Sequence, residues 1–306
     1  MSFYKKAKAV VQNPYKLFAK IINGKANFLS DKMYLSIMYK SIFNKKIDWN
    51  NPRTYNEKLQ WLKLYDRKPE YNIMVDKYAV KQYVADIIGQ DYIIPTLGVW
   101  EHFDDINFDE LPNQFVLKCT HDSGGLVIVR DKKNFNKKVA QKKIEQSLKR
   151  NYYWKGREWP YKDVKPRIIA EQYMEDENTQ DLKDYKIFCF AGEPKFLFVA
   201  SDRNVVDKEV KFDYFDMNFN KIPMRQSVHP TSQYKIEKPI MFNEMISIAR
   251  KLSRVIYMPQ VRIDLYVING KIYFGEYTFF HHGGFVPFIP EEYDEIWGAC
   301  IDINKK

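Results

Sequence analysis

The dipeptide Asn269-Gly270 stands between two alternating apolar runs, Val261–Ile268 and Lys271–Phe279, and no other local pattern constrains this chain as tightly. A two-residue connection with positive φ at both positions suits Asn-Gly and matches the twist of the flanking strands, so the pattern predicts a β-hairpin. Alternation puts Arg262, Asp264 and Tyr266 on one face of the first strand, while Glu276 and Thr278 share a face of the second. The turn returns the second strand beside the first, so two carboxylates converge among Val, Ile, Phe and Tyr. Charges buried there need a partner or a metal. Hard oxygen donors completed by substrate phosphates are a common way to hold Mg²⁺. The alternative is an exposed cross-strand charge pattern, such as Arg262 facing Glu276.

Upstream of the hairpin the chain changes character. To roughly Gly89 it reads as helical: Asn56–Tyr65 has apolar residues at helical spacing, and Thr54 with Glu57 matches a capping box. A further helix is predicted over Ile73–Ile88, stopping at Gly89. Strands are predicted at Phe115–Cys119, Leu126–Arg130, Arg167–Met174, Lys186–Phe190 and Lys195–Ala200, with helices over Asn136–Arg150 and Met241–Ile256. The whole is α+β, with mixed-sheet lobes around a cleft. The division expected is a helical region over 1–90, a small lobe over 91–174 and a large lobe over 175–306.

With 306 residues, 45% hydrophobic and 16% aromatic, the chain can bury a substantial core and is not a disordered polymer. Its net charge of +10 favours anionic partners without choosing among them. No zinc-finger spacing or RNP-like motif is present, so nucleic acid is not an expected partner. Cys119, Cys189 and Cys300 are odd in number and scattered, which argues against a disulfide framework or a structural zinc site. The N-terminus lacks the apolar core of a signal peptide and no run is long enough to span a bilayer, so a cytoplasmic location is expected. Lys5 to Ile22 can form a basic amphipathic helix. It would either give a weak peripheral hold on the inner face of an anionic membrane or pack on the protein's own surface.

A second chemical signal is Lys118 at the end of an apolar strand, followed by Thr120-His121-Asp122-Ser123-Gly124-Gly125. A small turn lets backbone N–H groups approach phosphate oxygens beside a lysine, although Ser-Gly-Gly is also an ordinary hairpin connection. It is not a P-loop, because no Gly-Lys-Ser/Thr ends it. His281 and His282 are adjacent, and in extended backbone at most one would face a cleft. Tyr152, Tyr153, Trp154, Trp159 and Tyr161 could stack on sugar rings or serve as aromatic core.

Taken in order, the chain from about Asn51 to Trp297 resembles the ATP-grasp superfamily, and within it the TupA-like, teichuronopeptide-biosynthesis branch. The landmarks are Asn51-Pro52-Arg53-Thr54-Tyr55-Asn56-Glu57-Lys58, Asp76-Lys77-Tyr78, Phe115-Val116-Leu117-Lys118, Glu158-Trp159-Pro160-Tyr161, Asp184-Tyr185-Lys186 and the two hairpin strands. The resemblance implies an ATP-grasp fold, with ATP and Mg²⁺ as cofactors. It casts Lys77 and Lys118 as phosphate-contacting lysines and Ser123, Gly124 and Gly125 as a loop over the triphosphate. Glu171-Gln172-Tyr173-Met174 becomes the adenine-reading connection, with Asp184 or Lys186 near ribose or phosphates. Asp264, Glu276 and Thr278 become the metal set, and Arg262 steadies the transferring phosphoryl group. Thr278 stands where many ATP-grasp enzymes have asparagine, which bears on whether one metal or two are held.

The activity so implied is ADP-forming ligation of a carboxylate to an amine in capsular or extracellular polysaccharide synthesis. The partners would be an acidic glycan or sugar-linked substrate and an amine donor. A sugar phosphotransferase would use the same nucleotide residues. A glycosyltransferase, or a binding module without turnover, are the readings from other classes.

Overall fold

The computed structural model describes residues 15–24, 26–177, 183–202 and 209–304. Helices α1 (Tyr15–Ile22), α2 (Asp31–Phe43), α3 (Tyr55–Tyr65), α4 (Glu70–Val75) and α5 (Ala79–Ile88) precede the first strand. The capping box at α3 is present: Thr54 Oγ1 accepts from Glu57 N at 3.2 Å, and Glu57 Oε2 accepts from Thr54 N at 3.1 Å. The single helix expected over 73–88 is instead broken into α4 and α5. Asp76 causes the break, because its Oδ1 accepts from the N–H groups of Tyr78 at 2.9 Å and Ala79 at 3.3 Å. Lys77 N is drawn away to Thr120 O at 3.0 Å. The interruption therefore fixes Lys77 against the loop after Cys119.

Two antiparallel sheets follow. Strands β1 (Thr96–Trp100), β2 (Phe115–Cys119), β3 (Leu126–Val129) and β4 (Ile168–Gln172) form a four-stranded sheet in the order β1-β4-β2-β3. Strands β5 (Asp184–Phe190), β6 (Glu193–Ser201), β7 (Lys211–Asp216), β9 (Gln260–Ile268) and β10 (Lys271–Thr278) form a five-stranded sheet in the order β10-β9-β5-β6-β7. A short ribbon pairs β8 (Arg225–Gln226) with β11 (Phe288–Ile289). Among the described residues every named strand pair is antiparallel, so the mixed sheets expected from sequence are not what forms. Helix α6 (Lys137–Leu148) covers the smaller sheet, α8 (Phe242–Ser253) covers the larger one, and α9 (Glu292–Ala299) packs on α3. Strands β1, β7, β8 and β11 and helices α2 and α9 lie outside the elements expected one by one from the sequence.

The smaller sheet has its own core, in which Phe115, Leu117 and Ala170 meet Ala140 and Ile144 of α6. Leu59, Tyr71 and Val84 of the helical region instead share one core with Phe188, Leu197 and Ile263 of the larger sheet. The hairpin turn has positive φ at both Asn269 (50°) and Gly270 (72°), as a type I′ turn requires. A register shift between Phe274 and Glu276 sets Glu276 opposite Asp264 and Thr278 opposite Arg262. Of the amphipathic segment Lys5–Ile22, residues 5–14 lie outside the described part. In α1, Ala19 and Ile22 are buried while Phe18 and Ile21 are exposed. No described helix is long and apolar enough to cross a membrane.

Gly298 sets the closeness of α9 to the capping turn of α3: a Cβ there would lie 2.2 Å from Arg53 O and 2.7 Å from Tyr55 N. Gly298→Ala is expected to cost about 1–3 kcal/mol in urea denaturation. An unchanged midpoint would contradict this packing.

Candidate active site

The hairpin charges are buried and paired. Arg262 is 6% exposed and Asp264 0%, which removes the exposed cross-strand pattern considered from sequence. Arg262 Nε donates to Asp264 Oδ1 at 2.6 Å and Nη2 to Oδ2 at 2.7 Å, a bidentate pair. Lys186, from β5, bonds Asp264 as well and reaches Asp184 Oδ2 at 2.6 Å. Burial alone would raise the Asp264 pKa, but Arg262 and Lys186 outweigh it and hold the carboxyl below its ordinary range. Burial likewise opposes the charge on Arg262, and Asp264 overcomes it.

Arg262 Nη1 lies 2.6 Å from His281 Nδ1, and His281 Nε2 lies 2.7 Å from Gln226 Oε1. A guanidinium can only donate, so Nδ1 accepts and Nε2 carries the proton toward Gln226. Tyr214 donates to the same Gln226 oxygen at 2.9 Å. Burial keeps His281 neutral by lowering its pKa well below the usual value. His281 thus orients Arg262 and has no spare ring nitrogen. Gln226 is not among the residues expected from sequence, where nothing local marks it; the structure places it on the short strand β8.

Two cavities adjoin this cluster. The larger, about 470 Å³, is lined by Lys77, Ser123, Glu158, Lys186, Arg262, Glu276 and Thr278, among others. The smaller, about 60 Å³, is lined by Lys77, Lys81, Lys118, Glu171 and Glu276. Lys77 and Glu276 belong to both walls, so the cavities are neighbours on either side of these two side chains. Together they gather lysines and one arginine along two adjoining cavities, an arrangement suited to a polyanion.

Glu171 is the organiser of the smaller cavity. Its carboxylate pairs with Lys118 and lies 2.6 Å from Lys81 Nζ. Burial would raise its pKa, but Lys118 and Lys81 hold it down at about 2. Lys81 was not singled out from sequence, being an ordinary lysine on a helix. The run Glu171-Gln172-Tyr173-Met174 is split by the fold. Glu171 lies inside β4, and Gln172 N donates to Pro95 O at 3.0 Å. Gln172, Tyr173 and Met174 line a separate cavity with Asn269 and Tyr273.

The turn after β2 is only partly free. Asp122 is buried, accepts from Gly125 N at 3.2 Å and bonds the Ser147 hydroxyl. Gly125 is buried in turn, and Gly125 O accepts from Cys119 N at 2.7 Å. Ser123 and Gly124 form the exposed tip, and Lys77 Nζ bonds Asp122 O beneath it. Of the three loop residues proposed from sequence, Ser123 reaches the large cavity.

The histidine expectation is corrected. Residues 281–284 form a tight turn with left-handed φ at His282 (50°), Gly283 (63°) and Gly284 (65°), not extended backbone, and His281 and His282 both line the large cavity. Tyr152 and Tyr161 line it too, while Tyr153 lies in the buried core.

Asp264, Glu276 and Thr278 offer hard oxygens that converge on one point. Arg262 Nη2 stands at that point, 2.7 Å from Asp264 Oδ2, 2.8 Å from Thr278 Oγ1 and 3.5 Å from Glu276 Oε1. The donor chemistry fits a divalent cation, with the guanidinium as its positive stand-in. Among the described residues, no group of three or more His, Cys, Asp and Glu side chains could hold a metal. Ligand oxygens would have to complete the set.

Comparison with known proteins adds a family. Residues 57–302 match the family described as TupA-like ATPgrasp. D-alanine–D-alanine ligase from Helicobacter pylori is 15% identical, with TM-score 0.42, over 75% of this chain and 63% of that one. L-amino acid ligase from Bacillus licheniformis is 12% identical, with TM-score 0.46, over 84% and 57%. N5-carboxyaminoimidazole synthetase from Staphylococcus aureus, complexed with ADP, is 14% identical, with TM-score 0.44, over 80% and 58%. The chain thus spans less than two thirds of each of these solved structures. No curated protein matches it.

Glu171→Gln should leave two lysines facing a buried neutral amide, at a cost of about 3–5 kcal/mol. Because folding depresses the Glu171 pKa from 4.5 to about 2, its contribution is present above the higher value and lost as pH falls toward the lower. Denaturant titrations over this range should show a smaller acid-dependent loss in the variant; parallel curves would contradict the pairing.

Proposed function

The chain belongs to the TupA-like ATP-grasp family, and on that premise we propose that it is an ADP-forming carboxylate–amine ligase. Its carboxylate substrate is a uronic acid or amino acid, and its product an amide-bearing unit of a capsular or extracellular polysaccharide. The observation that carries this reading is that two cavities with lysine-rich walls adjoin across Lys77 and Glu276, the larger of them lined also by Arg262.

In this reading Lys77 and Lys118 take the phosphates of ATP, and Lys186 and Arg262 face the group transferred. Bound Mg²⁺ would be held by Glu276, Thr278 and Asp264 and would supply charge neutralisation at the phosphates. Arg262 would yield the point where these oxygens converge and keep its bond to His281. The protein's contribution is positioning and a fixed positive field, with no covalent intermediate on a side chain. Ser123 at the loop tip closes over the phosphates. The Tyr173-Met174 segment, beyond the end of β4, offers its backbone to the base. The sugar and amine enter from the large-cavity side, where Tyr152 and Tyr161 provide aromatic faces. The net charge of +10 suits an acidic polymer.

Product analysis tests the proposal. With Mg²⁺, ATP and pools of uronic acids and amino acids, ADP and inorganic phosphate should appear together with an amide. Lys118→Ala and Glu276→Gln should each lower turnover at limiting ATP by about 10–100-fold, the scale of a lost charge-assisted bond. ADP with a phosphorylated sugar would make the protein a phosphotransferase. Transfer from a nucleotide sugar without ATP consumption would remove the proposal altogether.

A further inference from the structure

One ionisable group in the large cavity has no part in nucleotide or phosphoryl handling. Glu158 follows a short helix, α7 (Tyr153–Gly156), whose last turn is anchored by Arg157. Arg157 is fully buried; its Nη2 donates to Ala26 O at 2.7 Å, and its guanidinium stacks on Tyr34 and Trp154. With φ 54° at Arg157 the chain reverses, and Trp159-Pro160-Tyr161 then forms a tight turn. The reversal sends the Glu158 side chain inward, where it lines the cavity while the residue is only 8% exposed.

Its carboxylate has no hydrogen-bond or ion-pair partner among the described residues. Two glycines flank it: a Cβ on Gly156 would lie 3.0 Å from Glu158 Oε1, and one on Gly283 3.5 Å from it. Beyond Gly283 sits Lys63, fully buried, with Nζ donating to Gly283 O at 2.7 Å and Gln60 Oε1 at 3.0 Å. A buried carboxylate without hydrogen bonds is costly unless something entering the cavity completes it.

The groups that face Glu158 are Lys63 from α3, Lys155 from α7, Arg262 from β9 and Glu276 from β10, with Tyr152, Tyr161 and His282 on the cavity wall. Burial raises its pKa, Lys63, Lys155 and Arg262 pull it back, and Glu276 adds to the rise. His282, on the same wall, is held at about 3 by burial and by Arg262, so it is a poor proton acceptor at neutral pH.

We infer that Glu158 is the catalytic base that receives the proton of the incoming ammonium, opposite the phosphoryl-handling wall of Arg262 and Glu276. The inference deepens the ligase reading and rests on it. An ammonium entering the cavity gives one proton to the Glu158 carboxylate, and its nitrogen lone pair attacks the acyl carbon of the acyl-phosphate. The C–N bond forms, and the C–O bond to phosphate breaks with its electron pair leaving on phosphate. The second N–H proton departs with that phosphate, and Glu158 returns its proton to water. A carboxylate raised toward neutrality serves this transfer better than an ordinary exposed one.

Hydroxylamine separates this step from carboxylate activation, because it is largely unprotonated at neutral pH and needs no base. Pooled glucuronate, galacturonate and amino-acid carboxylates are incubated with Mg·ATP and either hydroxylamine or pooled amino acids as nucleophile. For Glu158→Gln the ratio of amide to hydroxamate should fall about 100-fold at pH 7. It should recover as pH rises toward the ionisation of the amine itself. Glu158→Asp, which keeps a carboxylate, should give an intermediate ratio. An unchanged ratio in Glu158→Gln, or no difference between the Asp and Gln variants, would overturn the inference. A wild-type enzyme that forms no ATP-dependent hydroxamate would instead count against the ligase reading itself.

Discussion

Arg262 and Asp264, two residues apart on one strand and almost wholly buried, form the ion pair around which the cavity wall is arranged. A buried pair repays its desolvation only when its remaining polar atoms are bonded. Here the guanidinium also reaches Thr278 and His281, and the carboxylate also takes Lys186. The chain then continues to Gln226 and Tyr214 in the core. Such a network fixes where each charge points, because removing one member strands the others without partners.

That constraint explains the division of the cleft. The smaller sheet contributes Glu171 with Lys118, helix α5 adds Lys81 to the same carboxylate, and the larger sheet contributes Arg262 and Lys186 tied to Asp264. Each group of cations is held by a carboxylate at its back, so both can face a common polyanion without moving far. Lys77, on the break between two helices, bridges the two groups. The break is what allows this, since a continuous helix over that stretch would not bring Lys77 N to Thr120 O.

The parts of the site legible in sequence are those that local rules specify. Asn269-Gly270 determines the turn, and period-two alternation puts Arg262 and Asp264 on one face. Lys118 shows itself as a charge within an apolar strand. What could not be read arises from contacts between residues distant in sequence. Lys81 becomes significant only because β4 brings Glu171 to it, and His281 only because β8 presents Gln226. The register shift before Glu276 also has no local signature beyond a glycine. Asp76 looked like part of a landmark pair, yet its side chain competes with the helix and ends it. The histidines depart from the extended expectation because Gly283 and Gly284 admit a left-handed turn there. The larger architecture was visible as α+β lobes, while the all-antiparallel pairing depends on connections that hydrophobic patterns do not reveal.

The central claim is that the two adjoining cavities form one site for Mg·ATP. Calorimetric titration of the protein with ATP, with and without Mg²⁺, tests it most directly when a nucleotide sugar is titrated in parallel. The account predicts Mg²⁺-dependent ATP binding in the micromolar range and none of comparable strength for the nucleotide sugar. Nucleotide-sugar binding with no response to ATP would contradict it.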